Sequence, residues 1–337
     1  MCGFVCYHFD EEDDYTAKYR EFDKISYRGP DQTQRWSYGN FHMTFHRLAI
    51  VDLSDNAMQP MQNSDASVIL VCNGEIYNHA FLREKYSFDV ASDSDCEIIL
   101  HMYDKFGIEK TLKELDGVFA FTLLDLKTDK FYAARDPYGV RPAFMGWTEE
   151  DKSVCVASEI KAMSEFCEKI VPVIPGNYYT WTLGGDKKPE EHSYFEKKYD
   201  QISMSEKEAL AGIKNLLTTA VNKRMMSDRE IGCLLSGGLD SSLIASLVAE
   251  NFDTGNKLKT FSIGLPGSPD VEYAQKVADH IGSDHHVVNM SAEEFLAAIR
   301  TVIYNIESYD TTSVRASVGN YLVSKYIKDN TDVKVVF

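Results

Sequence analysis

The chain has 337 residues, 44% of them hydrophobic and 26% charged, which suits a soluble globular protein of two domains better than one. Its net charge of −17 argues against nucleic acid as a partner, since phosphate contacts need a basic surface, but leaves room for a small anion at a local site. No apolar run approaches the ~20 residues of a membrane helix. The opening MCGFVCYHFDEEDD has no basic start and turns acidic at once, so neither a membrane nor a secretory signal is expected and a cytoplasmic setting is.

Apolar or alternating runs predict strands at 41–51, 68–72, 118–124, 131–134 and 154–157. Helical patterns fall near 13–25, 79–86, 94–106, 109–115 and 159–165. Pro30, Asn73-Gly74 and Pro137-Tyr138-Gly139 read as turn signals. Residues 175–208 change character. Their Gly pairs, Pro and mixed charge read as a hairpin and then a connecting segment, and so as a domain boundary.

From 205 onward helix and strand alternate. Ser205 with Glu208 three residues on reads as a capping box, opening a helix to about 226. Strand 231–235, the string SGGLDSS and a helix to about 250 follow. Then come strand 259–265, helix 270–281, strand 285–290, helices 292–306 and 313–328, and strand 333–337. Strands separated by single helices imply a parallel, doubly wound sheet. The last run, Val333–Phe337, has no turn or polar tail after it. It reads as a strand whose following loop is missing, or alternatively as an edge strand at a natural end.

SGGLDSS follows a buried-type strand and opens a helix. Gly237 and Gly238 let the backbone turn tightly, the helix N-terminus adds positive dipole, and Ser236, Ser241 and Ser242 supply hydroxyls, which together suit phosphate oxygens. Asp240 does not fit a pure anion cradle but suits a Mg²⁺ riding on phosphates. No GxxxxGK[ST] is present. The plainer reading is a Gly-rich strand-to-helix turn capped by Ser. The string resembles the pyrophosphate loop of the ATP pyrophosphatases, which cut ATP between its α and β phosphates and adenylate a substrate.

The seven Cys are odd in number and scattered, with no CxxC pair for zinc, and most read as reduced, buried small hydrophobes. Cys2 stands apart, because its small size permits removal of Met1. It would then carry both a thiol, with a pKa of ~8.5, and an α-amine titrating near ~7.7–8.0 that can take the thiol proton. On Cys2 alone an ordinary N-terminal cysteine is the simpler reading.

The wider pattern changes this. MCGF (1–4), RGPD (28–31), HRLAIVDL (46–53), NGEIYN (73–78), SDCE (94–97), LDGVFAF (115–121) and ARDPYGVRP (134–142) resemble, in order, the class II glutamine amidotransferase domain of N-terminal-nucleophile type. TFSIGL (260–265), VADHIGSDHH (277–286) and SYDTTSVRASVGNYLVSKYI (308–327) are similar to the synthetase domain of the glutamine-hydrolysing asparagine synthetases. The resemblance implies an α+β sandwich over 2–185 and a doubly wound parallel α/β domain over 205–337, an α/β protein as a whole.

By resemblance Cys2 is the nucleophile, and the Asn73 side chain and Gly74 N–H form the oxyanion hole. Arg47 takes the glutamine α-carboxylate, Glu75 and Asp95 its α-ammonium, and the backbone of Leu48, Ala49, Ile50 and Val51 lines the pocket. Read singly, Arg47 could be a surface ion-pair residue, Asp95 a helix cap and Asn73-Gly74 a hairpin turn. Arg28 and Asp31 are expected to shape the loop around the nucleophile. Ser236 to Ser242, Leu239 included, would bind ATP, with Leu235 and Ile263 seating the nucleotide or simply packing in the core. Arg315 could serve aspartate or phosphate charge, or a structural ion pair.

The implied activity is asparagine synthesis from glutamine, aspartate and Mg-ATP, through a Cys2 thioester and β-aspartyl-AMP, with ammonia passing internally between two sites; a homodimer is a family expectation. Family members continue after a strand like VKVVF into an SGEGSDE loop and a helical remainder. That implies an incomplete synthetase half here, and hence glutamine hydrolysis with little or no asparagine made. A catalytically inactive scaffold is the rival reading.

Overall fold

The computed structural model describes residues 1–9, 15–148, 153–184, 188–252 and 254–337. Residues 13 and 14 of the expected first helix, and residue 185 at the expected domain end, lie outside them. Two units separate, Met1–Asp200 and Gln201–Phe337, and each is described by itself.

The first unit holds strands β1 (Gly3–His8), β2 (Gln32–Tyr38), β3 (Phe41–Arg47), β4 (Met61–Gln62), β5 (Val68–Ile76), β6 (Gly117–Asp125), β7 (Lys130–Arg135), β8 (Phe144–Trp147), β9 (Val154–Ala157), β10 (Lys169–Pro172), β11 (Asn177–Thr182) and β12 (Glu190–Ser193). They form two antiparallel six-stranded sheets, ordered β10-β8-β9-β1-β3-β2 and β12-β11-β7-β6-β5-β4. Successive side chains of a strand point to opposite faces. On β1, Phe4 and Cys6 enter the core between the sheets with Phe45, Val71 and Phe131. Val5 and Tyr7 face outward onto Phe22, Ile25 and Met163. Phe22 belongs to helix α1 (Tyr15–Phe22) and Ile25 to the 3₁₀ turn Asp23–Arg28. On β5, Leu70, Cys72 and Ile76 face helices α2 (His79–Tyr86) and α3 (Ile98–Glu114) through Leu82, Ile99 and Met102. The layers are therefore helix, sheet, sheet, helix, as the α+β sandwich requires. Each fully buried Phe in the middle layer contributes roughly 1.5–3 kcal/mol.

Several expectations shift. The runs expected as separate helices at 94–106 and 109–115 form one span broken at Gly107, whose φ of 76° interrupts the helix. Asn73-Gly74 is not a turn. Both lie inside β5, paired with Ala120 and Phe119 of β6. The strand expected over 41–51 stops at Arg47, because Leu48 turns its N–H and C=O to the Cys2 thiol. The helix expected at 159–165 shrinks to a 3₁₀ turn, Ile160–Ala162, where buried Glu159 and Lys161 are held by side chains rather than by a helical ladder. The expected hairpin after 175 is β11 paired with β12.

The second unit runs α4 (Glu206–Arg224), β13 (Ile231–Leu234), α5 (Leu239–Asn251), β14 (Lys259–Gly264), α6 (Pro269–Ile281), β15 (Asp284–Asn289), α7 (Ala292–Ile306), α8 (Thr311–Asn330) and β16 (Val335–Val336). The capping box at Ser205 is present. The sheet is parallel throughout, in the order β15-β14-β13-β16. Helices α4, α5 and α6 pack with Cys233 and Leu235; on the other face α8 packs with Phe261 and Val288 through Val323 and Ile327, and α7 packs on α8 beside Ile263. This is the doubly wound sheet expected. Of the strand expected at 333–337, β16 covers Val335–Val336, and Phe337 continues its bonding to β13, donating to the Gly232 carbonyl at 3.0 Å and accepting the Leu234 N–H at 2.7 Å.

Candidate active sites

Cys2 directly precedes β1, so the sheet sets its place. Its Sγ accepts the N–H of Leu48 at 3.3 Å and donates to the Leu48 carbonyl at 3.5 Å. Arg28 Nε donates to the Cys2 carbonyl at 2.9 Å. Gly29 makes this approach possible, since a Cβ there would lie 2.0 Å from the His46 carbonyl oxygen. Asp31 grips the far side: its N–H donates to the Arg47 carbonyl at 3.0 Å and its Oδ2 accepts the N–H of Ala49 at 2.9 Å. The RGPD segment thus holds both the nucleophile candidate and the 47–49 bend.

Arg47 is buried, which removes the surface ion-pair reading. Its Nη1 donates to the Ser54 carbonyl (2.8 Å) and Gln32 Oε1 (3.1 Å), and its Nη2 donates to the Asp52 carbonyl. Asp52 adopts φ 54°, and its carboxylate accepts the N–H groups of Ser54 and Asp93, both at 2.9 Å. Residues 48–54 therefore wrap the guanidinium, with Ala49 buried and Leu48, Ile50 and Val51 half-buried.

Asn73 is 1% exposed, and its Nδ2 has no hydrogen-bond partner among the described residues. A buried donor left in this state costs about 1–3 kcal/mol. Its neighbour Cys72 is fixed by Gln59, whose Oε1 accepts the Cys72 N–H at 2.6 Å and whose Nε2 donates to the Cys72 carbonyl at 3.2 Å. A Cβ on Gly74 would lie 2.5 Å from the Val118 carbonyl, so the strand admits only glycine.

Asp95 is buried, with Oδ2 accepting the N–H of Ile76 at 2.6 Å. Burial pushes its carboxyl up to about 7; the Ile76 N–H opposes this and the charge of nearby Glu75 adds to it. It is not a helix cap: Ser94 precedes the short turn that holds it. Glu75 meets Arg141 at 3.4 Å. Cys2 interacts electrostatically with Cys72 and Arg141. Burial raises its thiol above the ordinary value, against the pull of the chain-end amine and the Leu48 bond. Burial lowers the Met1 amine to about 6; Cys2 opposes this, while Arg28 and Arg141 add to it.

Arg141 was given no role from sequence. Its signal lay in ARDPYGVRP. Buried Asp136 accepts the N–H groups of Tyr138 (3.0 Å), Val140 (3.1 Å) and Arg141 (3.1 Å), and Arg135 Nε donates to the Arg141 carbonyl at 2.6 Å. The first Arg-Asp pair is thus the frame that presents the second Arg.

In the second unit the strand order reverses between β13 and β16, and ligands of open α/β sheets sit at such a switch point, at the strands' carboxyl ends. Residues 235–238 leave β13 there. Gly237 has φ 77°, and a Cβ on it would lie 2.6 Å from the Ala274 nitrogen. Ser236 Oγ accepts the Gly238 N–H at 3.3 Å and shares a bond with Ser241 Oγ at 2.9 Å. Ser242 Oγ donates to the Gly238 carbonyl at 2.6 Å. Gly238 provides no side-chain cap for α5. Leu239 and Asp240 are exposed on the first turn, Leu235 is buried and Ile263 half-buried. Among the described residues no group of three or more His, Cys, Asp and Glu could hold a metal ion, so Asp240 would need phosphate oxygens to complete a shell. No helix among them is long and apolar enough to cross a membrane.

The family model of the glutamine amidotransferase domain matches residues 1–185. The chain belongs to that family. Behind the amidotransferase domain, residues 212–337 match the asparagine synthase family model. Among curated proteins, the chain is 41% identical over 365 residues to the glutamine-hydrolysing asparagine synthetase of Mus musculus and 40% identical to that of Homo sapiens, each alignment covering 100% of the chain. It is also 41% identical to asparagine synthetase 2 of Oryza sativa subsp. japonica, over 93% of the chain and 53% of the relative. The chain spans 64% of the length of the mouse and human relatives.

Proposed function

We propose that the first unit hydrolyses glutamine to glutamate and ammonia through a thioester at Cys2, and that the second binds Mg-ATP and aspartate for asparagine synthesis. The observation that carries the first half is the buried, unpartnered Nδ2 of Asn73, next to a residue that interacts electrostatically with the Cys2 thiol. A donor held without a partner suits an oxygen whose negative charge develops only during reaction.

Removal of Met1 would leave Cys2 with a free α-amine. A free α-amine titrates near ~7.7–8.0, close enough to neutral pH to act as a base. The amine takes the thiol proton as Sγ attacks the glutamine side-chain carbonyl carbon. Asn73 Nδ2 and the Gly74 N–H receive the oxyanion. As the C–N bond breaks, the same proton passes to the leaving nitrogen, which departs as ammonia. Water then adds to the thioester, giving up a proton to the amine, and the C–S bond breaks to release glutamate and the thiol. Arg47 would take the substrate α-carboxylate and Asp95 with Glu75 its α-ammonium. Burial, with the charge of Glu75 nearby, disfavours ionised Asp95 until a cation arrives.

In the second unit, Ser236 to Ser242 would hold the ATP phosphates and Asp240 a Mg²⁺ carried on them. Aspartate and ATP would give β-aspartyl-AMP and pyrophosphate, and ammonia would displace AMP to form asparagine. The experiment is a product assay. The chain is incubated with glutamine, aspartate and Mg-ATP, and glutamate, asparagine, AMP and pyrophosphate are quantified together. Glutamate that disappears in Cys2→Ala supports the first half, and asparagine with equimolar AMP and pyrophosphate the second. Glutamate release that survives Cys2→Ala overturns the thioester.

A further inference from the structure

We propose that Glu159 is a positioning residue for the nucleophile, acting through Arg28 on the carbonyl of Cys2; this rests on the reading of Cys2 as nucleophile. A residue at a processed N-terminus has no preceding peptide to hold it. Strand β1 begins only at Gly3, so the Cys2 carbonyl is the one main-chain handle that can fix the residue's orientation from behind. Arg28 Nε takes that handle at 2.9 Å. Gly3 lets the side chain lie across the start of the strand, since even a bare Cβ there would stand 3.3 Å from Arg28 Cβ and Cδ.

Arg28 is in turn fixed by Glu159, whose Oε1 accepts Nη1 at 2.6 Å with both side chains 7% exposed. The other oxygen of Glu159 accepts Lys161 Nζ at 2.6 Å and the Tyr27 hydroxyl, and Lys161 also donates to that hydroxyl at 2.9 Å. Burial works against the charged form of Glu159, but Arg28, Lys161 and Tyr27 hold its carboxyl below the ordinary value. The backbone joins the same unit: Phe4 N–H donates to Ser158 Oγ at 3.1 Å and Ser158 N–H to the Phe4 carbonyl at 3.0 Å. With Leu48 holding the thiol, Cys2 is gripped from both ends. A buried carboxylate that binds two cations and a phenol leaves the guanidinium one orientation, and that orientation points Nε at Cys2.

The test is steady-state glutamine hydrolysis by the full chain and by Glu159→Gln, Glu159→Asp and Tyr27→Phe, with folding checked by near-UV circular dichroism. Misplacing a reacting group by a fraction of an ångström costs rate rather than affinity, so Glu159→Gln should lower kcat on the order of tenfold to a hundredfold with KM unchanged. Glu159→Asp, which keeps the charge, should recover part of the loss. A Glu159→Gln protein that folds and keeps the wild-type kcat, or loses only KM, overturns the proposal. Should Glu159→Gln fail to fold, Tyr27→Phe decides by the same criterion, because Tyr27 is 45% exposed and the change removes one hydroxyl. Alkylation of Cys2 by a diazoketone analogue of glutamine separates this from the underlying reading. Glutamate release that persists after Cys2 is alkylated overturns the nucleophile assignment. A Cys2-dependent enzyme indifferent to Glu159 overturns only the positioning unit.

Discussion

Asp95 accepts the main-chain N–H of Ile76 at 2.6 Å, which ties the turn after residue 94 to the end of the strand that carries Asn73, Gly74 and Glu75. One bond therefore joins the two segments proposed to receive the substrate amine, and it does so with a carboxyl that burial holds near pH 7.

That carboxyl should be visible in pH profiles. Only the ionised form attracts an ammonium, so kcat/KM for glutamine is expected to rise as pH passes through about 7. Asp95→Asn should lose this limb and most of the affinity. Stability should run the other way. An unfolded Asp titrates near ~3.9, so the folded state holds the proton more tightly and stability falls as pH rises from about 4 to about 7. Denaturant midpoints of wild type and Asp95→Asn, measured across that range, check the sign: the variant should show the flatter profile.

Asn73→Ala separates rate from stability. Loss of an oxyanion donor costs roughly a hundredfold to a thousandfold in kcat, with KM little changed. Because Nδ2 is already unpaired, its removal should not destabilise the fold through a lost bond to that nitrogen. A large drop in unfolding midpoint with unaltered kcat would remove Asn73 from the oxyanion hole.

Arg47→Lys keeps the charge but not the fork whose Nη1 reaches the Ser54 carbonyl and Gln32 and whose Nη2 reaches the Asp52 carbonyl. Glutamine KM should rise on the order of tenfold or more, with kcat affected less, since a bidentate pair to the α-carboxylate is lost. Competition by glutamate, which carries the same carboxylate, should weaken in parallel.

Gly237→Ala addresses the second unit alone. The new Cβ meets the Ala274 nitrogen at 2.6 Å on a residue with φ 77°, a strain of about 1–3 kcal/mol. ATP-dependent pyrophosphate release should fall and the second unit's unfolding midpoint should drop, while glutamate release without ATP stays at the wild-type level. Equal loss of both activities would contradict the assignment of the loop to the second unit's chemistry.

Much of this was legible in residue order. The rhythm after residue 205 set every helix of the second unit to within a few residues, because each helix carries its own cap or apolar face and each strand is a short apolar run between them. The string at 236–242 announced its turn through paired glycines. In the first unit Cys2, the 28–31 segment, the 46–53 run and the 73–78 run could be marked as one set only through resemblance, since nothing local in any of them says that they meet.

What residue order determined was what depends on near neighbours: the helices, the glycine turn at 237, and the chemical types available at Cys2, Arg47 and Asp95. Contacts between distant segments were decided only by the tertiary structure. Asn73-Gly74 has the composition of a hairpin turn, yet it is strand because β6 lies 2.5 Å from where a Gly74 side chain would start. Asp95 is acidic by type, but its pKa follows from burial beside Glu75. Glu159 gained its place from Arg28 and Tyr27, which lie far away in the chain, whereas Arg141 is framed by its near neighbours Arg135 and Asp136 and meets the distant Glu75. Pairing energy between strands, and the cost of burying charge, depend on what the fold brings alongside, and one strand's own sequence does not contain its neighbour.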